Sequence, residues 1–360
     1  MREAVAVSAP GKLILLGEHA VVYGRPALVA AVDLRLTVRL SPWPGAGVRL
    51  DLPCLSHAEE VSWPALRAYA RSVRESWTAY SRDPGPEGFR QVRGDDPAHI
   101  VKAALGEAVD FLGGDDPPGL ALRVTSDLPI GSGFGSSAAT ALGVVAGYLS
   151  WRGIDASPET IERLALEAER RQHGLPSGVD GAAILHGGIL WAKRTSSGLE
   201  TETVAPRSPL LSRLRVYDTG TPPEPTGAVV AAVRRRKDQD PGGLDRILDR
   251  LEACVSGFRK ELAQDVEDCT RVLELIRESE VCLEELGVVP ETVRAVVRRV
   301  EAEGGAAKIS GAGSLAGPGA GSLIVYHSDP ERIAGWAFLQ PYRHYPVHLG
   351  APGLRRETIP

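Results

Sequence analysis

The run Gly131-Ser132-Gly133-Phe134-Gly135-Ser136-Ser137 opens directly onto an apolar stretch, "AATALGVVAGYLSW". A backbone this permissive weakens any regular element drawn through it, so one element must end before it and another begin after it. Upstream, "GLALRVTSDLP" alternates apolar and polar residues, the period of a half-buried strand. Downstream, the apolar stretch fits a helix buried on most sides. The local order is strand, glycine loop, helix. The first N–H groups of a helix have no intrahelical partner and carry the positive end of its dipole. Glycines in front of them let the backbone close on a ligand, so the junction suits an anion, most naturally a phosphate. A turn that merely permits close helix packing is the competing reading, and the loop alone does not decide between them.

The loop is neither of the two commonest phosphate motifs. The chain has no G-x-x-x-x-G-K-[ST], and a G-x-G-x-G spacing without a ribose-binding acid is not the dinucleotide fingerprint. Two further segments add chemistry. "APGKLILLGEHAVVYGRPAL" carries Lys12, Glu18 and His19 among turns and buried strand, and "HGLPSGVDGAAILHGG" carries Ser177 and Asp180 in a Gly/Pro-built loop. Phosphoryl transfer to an alcohol needs a phosphate cradle, an oxygen ligand for Mg²⁺, a group to orient or deprotonate the alcohol, and a cation for the developing charge. The three segments supply every type. Singly each is weaker: Lys12 reads equally as a solvated turn lysine and Asp180 as a helix cap.

Taken together these residues resemble the GHMP kinase family. Pro129, Gly131, Gly133, Gly135, Ser136, Ser137, Ala138 and Ala139 match its phosphate-binding pattern P-x-G-x-G-L-G-S-S-A-A, with Phe134 where Leu is usual. "KISGAGSLAGPGAGSLIVY" is similar to the third family motif, with Ser314–Pro318 intervening. "APGKLILLGEHAVVYGRPALVAAVD", "ERRQHGLPSGVD" and "DTGTPPEPTGAVVAAVR" are similar to the mevalonate kinase branch. The resemblance implies an α+β fold of two domains, ribosomal protein S5 domain 2-like at 1–200 and ferredoxin-like at 201–360, with the site between them. It implies ATP and Mg²⁺, and transfer of phosphate to the primary hydroxyl of mevalonate. Another alcohol, such as phosphomevalonate or a sugar, and a non-catalytic nucleotide or metabolite sensor are the alternatives.

Residue by residue, the resemblance gives Asp180 the role of base or orienter of the hydroxyl. It has Lys12 favour the alkoxide and the transferring phosphoryl group. Pro129, Gly131, Ser132, Gly133, Phe134, Gly135, Ser136 and Ser137 form the nucleotide cradle. Ser137 and Glu169 hold Mg²⁺. Glu18 and His19 lie toward the substrate, and Gly311 and Gly313 let the third motif approach the loop and the substrate.

The rest of the chain sets bounds. A net charge of -5 gives no footprint for nucleic acid or an anionic membrane. No apolar run is long enough for a bilayer span, and "MREAVAVSAPGK" holds no signal-type apolar segment. The four cysteines form no C-x-x-C pair, which favours free thiols in a reducing compartment. A cytoplasmic enzyme with a small-molecule partner is the expectation, a homodimer being left open. "RRRK" at Arg234 to Lys237 reads as a solvated helix end rather than a phosphate site, and His173 and His186 as structural or loop residues rather than metal ligands.

Along the chain, turns at Pro10-Gly11, Gly17 and Gly24-Arg25-Pro26 divide the N-terminal strands. Ser81 to Ala98 reads as an exposed, mobile loop. Asp96 is the expected cap of a helix ending at Gly113, and Ser157 the cap of one ending at Gly174. "AAILHGGILWAKR" reads as strands around Gly187-Gly188. An inter-domain connection follows Thr195, and a helical hairpin begins near Gly242.

Overall fold

The computed structural model describes residues 3–83, 85–174 and 176–358. In chain order the first elements are β1 (Val5–Leu16), β2 (Pro26–Pro42), β3 (Val48–Leu52), β4 (His57–Val61), α1 (Trp63–Arg82), α2 (Pro86–Arg93), α3 (His99–Leu112), β5 (Leu120–Ser126), α4 (Ser136–Trp151), α5 (Pro158–His173), α6 (Val179–His186), β6 (Ile189–Thr195) and β7 (Gly198–Val204). Then come β8 (Leu214–Asp218), α7 (Thr226–Gln239), α8 (Pro241–Ala263), α9 (Cys269–Leu286), α10 (Glu291–Ala302), β9 (Ala306–Ser310), β10 (Ser322–Tyr326), β11 (Arg343–Tyr345) and β12 (Arg355–Glu357).

The first sheet runs β12-β1-β2-β5-β3-β4, with the β6–β7 hairpin attached to β2. Strand β2 can serve two neighbours because it is long: Pro26–Ala30 pair with β6 and Leu36–Pro42 with β5. Helix α4 lies against this sheet, buried from Ala138 through Leu149. Its two glycines make that approach possible. A Cβ at Gly143 would stand 2.8 Å from Val38, and one at Gly147 2.6 Å from Leu40. The N-terminal end of α4 is thereby fixed relative to β1 and β2.

The second sheet is antiparallel throughout, in the order β11-β8-β10-β9. Numbered along the chain this is 4-1-3-2, with helices between its first and second strands and its third and fourth, the ferredoxin-like arrangement. Val229, Leu248, Leu283, Val297, Ile309 and Leu323 belong to the core beneath it. The chain then turns back. Strand β12 pairs with the outer edge of β1. Arg35 donates to the carbonyls of Pro352 and Gly353, and the Leu354 N–H donates to the Ile184 carbonyl of α6. The end of the chain thus ties the second unit to the first, and the β6–β7 hairpin spans residue 200.

Several local expectations are corrected. Strand β1 runs through Pro10-Gly11, because the register with β2 shifts there and proline's missing donor falls at the irregularity. The segment from Ser81 to Ala98 contains helix α2, anchored by Phe89 against Tyr80 with ring centroids 5.3 Å apart. Helix α3 begins at His99, while Asp96 caps the preceding turn by accepting from the Ala98 N–H. "GAAILH" is helix, not strand. A short apolar run carries no decisive period, and its small residues let α6 nest against α4 and β1. The α5 caps and the α8–α9 hairpin match the expectation. The cysteines are unpaired. Among the described residues no helix is long and apolar enough to cross a membrane.

Candidate active site

Lys12 and Asp180 meet, Nζ to Oδ1 at 3.0 Å. Strand β1 brings the lysine, whose side chain is 4% exposed, and the first turn of α6 brings the aspartate, 36% exposed. The carboxylate therefore reaches solvent while the ammonium stays enclosed. The loop before α6 is held by Arg194 on β6, which donates to the carbonyls of Pro176 and Ser177.

The glycine loop Gly131–Ser137 stands directly beside this pair. Gly135 caps α4 in the left-handed region at φ 74°, and no side chain caps the helix. The first-turn N–H groups are thus available to an anion. The Lys12 N–H donates to the Phe134 carbonyl at 2.9 Å, which joins β1 to the loop. A Cβ at Gly135 would lie 2.9 Å from Lys12 Cγ and 3.2 Å from Cε. Glycine is required there both by backbone angle and by the passage of the lysine.

Glu169 is buried on α5. Burial first, and then the negative charge of Asp180, push its carboxyl up to about 8, with Lys12 and Ser137 opposing. His173 lies one turn further along α5 and pairs with the Ser137 hydroxyl, Nε2 to Oγ at 2.8 Å. Burial lowers this imidazole to about 4, so the neutral ring faces the hydroxyl. This partner was missed in the sequence. The signal was the Glu-x-x-x-His spacing, which sets both side chains on one helix face.

The remaining expected residues have partners of their own, and Glu18 still lies within electrostatic reach of Lys12. Glu18 is fully buried and bonded to Lys308 of β9, which leaves its carboxylate enclosed. His19, at a positive φ of 59°, donates from Nε2 to the Ala312 carbonyl at 2.9 Å. Gly311 packs on the phosphate loop, 3.7 Å from its would-be Cβ to Gly133 Cα, whereas Gly313 packs on the Val288 carbonyl. Pro129 is half-buried at the loop entrance. The segment Ser314–Pro318 leans on the approach to α7: Ser314 donates to Glu224, and Gly317 sits against Pro223. Arg234, Arg235 and Arg236 are exposed, and Lys237 lies over the Tyr23 ring.

The Glu169 carboxyl of α5 and the Ser137 hydroxyl in the first turn of α4 stand together, and such hard oxygen donors suit Mg²⁺ once the carboxyl gives up its proton. Among the described residues His57, Glu59 and Asp96 also stand within ligand distance of one another. There the Lys102 ammonium already bridges Glu59 and Asp96 at 2.7 Å each.

Known proteins share the family and the fold. Residues 99–188 match the GHMP kinases N terminal domain. Mevalonate kinase of Bos taurus is 30% identical over 99% of this chain and 96% of its own length. Among solved structures, Methanococcus jannaschii mevalonate kinase superposes with a TM-score of 0.70 at 19% identity, covering 96% of this chain and 98% of that one. Streptococcus pneumoniae phosphomevalonate kinase, in complex with phosphomevalonate and AMPPNP, gives 0.68 at 16% identity, covering 98% and 99%.

Proposed function

The chain belongs to the GHMP kinase family, and we propose on that premise that its acceptor is the primary hydroxyl of mevalonate. It is an ATP-dependent small-molecule kinase. One observation carries the residue assignment: the Lys12–Asp180 pair at 3.0 Å, set against the free N-terminus of α4. In this reading the acceptor oxygen attacks the γ-phosphorus, its proton passes to Asp180, and the bond from the γ-phosphorus to the bridging oxygen of ADP breaks. Lys12 offsets the negative charge that grows on the oxygens. Gly131 to Ser136 direct N–H groups at the phosphates. Ser137 and Glu169 would hold Mg²⁺, which would supply neutralisation of the phosphate charge. The Ser137 hydroxyl donates a hydrogen bond to the neutral His173 imidazole, which would leave its oxygen lone pairs available to the cation.

Similarity to curated mevalonate kinases supports mevalonate over other acceptors. ATP consumption measured against mevalonate, phosphomevalonate, homoserine and galactose tests the choice. Mevalonate is expected to lead in kcat/KM by about 10²-fold or more. A lead for phosphomevalonate would overturn the acceptor. ATP binding without turnover on any of them would make the chain a sensor.

The same geometry predicts the effect of Gly135→Ala. The added methyl must displace the Lys12 stem or the loop. A shift of about 1 Å in a catalytic group costs about 10²-fold in rate, so kcat is expected to fall by that order. Wild-type kcat in this variant, measured under saturating ATP and mevalonate, would contradict the placement of Lys12.

A further inference from the structure

We propose that Tyr345, near the end of the chain, is a positioning residue for the phosphate loop. This rests on the reading of Gly131–Ser137 as the nucleotide cradle. The loop has glycine at three alternate positions, so its own backbone does little to fix it. Something outside it must. Strand β11 pairs with β8, Tyr345 opposite Val216, and both side chains enter the core of the first unit. The Tyr345 ring meets Phe134 edge-on, with centroids 5.1 Å apart at 70°. Its hydroxyl donates to Asp218 Oδ2 at 3.3 Å. That same oxygen accepts from Ser132 Oγ at 2.7 Å, while Asp218 Oδ1 accepts from the Gly220 N–H.

Tyr345 therefore touches the loop on both sides of Gly133, through Asp218 at Ser132 and directly at Phe134. The Phe134 carbonyl in turn holds the Lys12 N–H. The Ser132 carbonyl accepts from the Ser322 N–H at 3.1 Å, so the loop is seated on the second sheet from two directions. Phe134 stands where the family pattern has leucine, and an edge-to-face contact needs an aromatic ring on each side. The departure at 134 and the tyrosine at 345 thus form one contact. Nucleotide affinity depends on a strand more than 200 positions away from the loop in sequence.

The test is steady-state kinetics and AMPPNP binding with Tyr345→Leu, Tyr345→Phe, Phe134→Leu and the Phe134→Leu/Tyr345→Leu double variant. Thermal unfolding establishes that each is folded. Tyr345→Leu is expected to raise KM for ATP and Kd for AMPPNP about tenfold while KM for the acceptor holds. Tyr345→Phe keeps the ring and is expected to cost about threefold. The double variant should lose clearly less than the product of the two single losses, because both break one contact. Equal changes in both KM values, unchanged ATP binding in folded Tyr345→Phe and Tyr345→Leu, or fully multiplicative losses would each overturn the proposal. Gly133→Ala, whose Cβ would stand 2.9 Å from the Ser310 carbonyl, separates the two levels. If it weakens AMPPNP binding and Tyr345→Leu does not, only Tyr345 is dismissed. If neither does, the loop itself is not the nucleotide site.

Discussion

Asp180→Asn is expected to lower kcat by about 10²- to 10⁴-fold, the range for loss of a positioned general base, with Kd for AMPPNP nearly unchanged. The amide keeps the shape of the carboxylate and can still accept from the Lys12 ammonium, so the 3.0 Å contact has a replacement partner. What it loses is the capacity to take a proton from the acceptor hydroxyl. The carboxylate is 36% exposed but the Lys12 side chain only 4%, so the variant leaves an enclosed ammonium hydrogen-bonded without its counter-charge, and some loss of stability is expected. The rate is therefore compared at a temperature well below the unfolding midpoint of each variant, which separates chemistry from stability. Lys12→Ala is expected to be as slow but less stable, because a buried stem is removed as well. Single-turnover assays with purified variants decide it: an Asp180→Asn enzyme whose phosphoryl-transfer rate stays close to wild type would remove Asp180 from the proton path.

The partnership of Lys12 and Asp180 was legible because each sits in a short, chemically specific run, and the spacing within a run survives folding. The strand-loop-helix order around Gly131 was legible for the same reason. What failed were elements whose identity depends on distant neighbours. The "GAAILH" run becomes a helix because α4 and β1 leave it a groove. Strand β1 survives Pro10-Gly11 because β2 can shift register beside it. The partner of Glu18 was hidden for a different reason. A carboxylate in "GEH" reads as a ligand group in sequence, but its partner, Lys308, arrives from a strand on the other sheet. Neither local period nor spacing encodes that meeting. The role of Tyr345 is of the same kind, since a lone tyrosine near the end of a chain carries no motif.

That unforeseen meeting carries the second large effect. Glu18, Lys308 and Glu280 are all fully buried. Lys308 is the cation of the group, bonded to Glu18 and to the Ile309 carbonyl. Glu280 accepts from the Ile309 N–H at 3.0 Å, and one oxygen of each glutamate has no hydrogen-bond partner. Lys308→Met leaves Glu18 as an uncompensated buried charge, and breaking such a pair costs about 3–5 kcal/mol. Replacing both partners, Glu18→Met with Lys308→Met, should restore most of that loss, since no charge is then stranded. A single variant within about 1 kcal/mol of wild type, or a double variant no better than the single, would refute the pairing.

Glu280 adds a pH signature to the same cluster. Burial pushes its carboxyl up to about 8, and the nearby charges of Glu284 and Glu18 add to this, against the Ile309 N–H and Lys308. The folded chain thus holds a proton that the unfolded chain releases near the ordinary value of 4.5. Between those two values the folded state binds more protons, so this group's contribution to stability falls as pH rises. Glu280→Gln cannot ionise. Its unfolding temperature is expected to match wild type near pH 5 and to exceed it by pH 9, flattening the alkaline decline. Parallel curves for the two proteins across that interval would show that Glu280 ionises freely in the folded state, and that the cluster joining the two sheets is not closed to water.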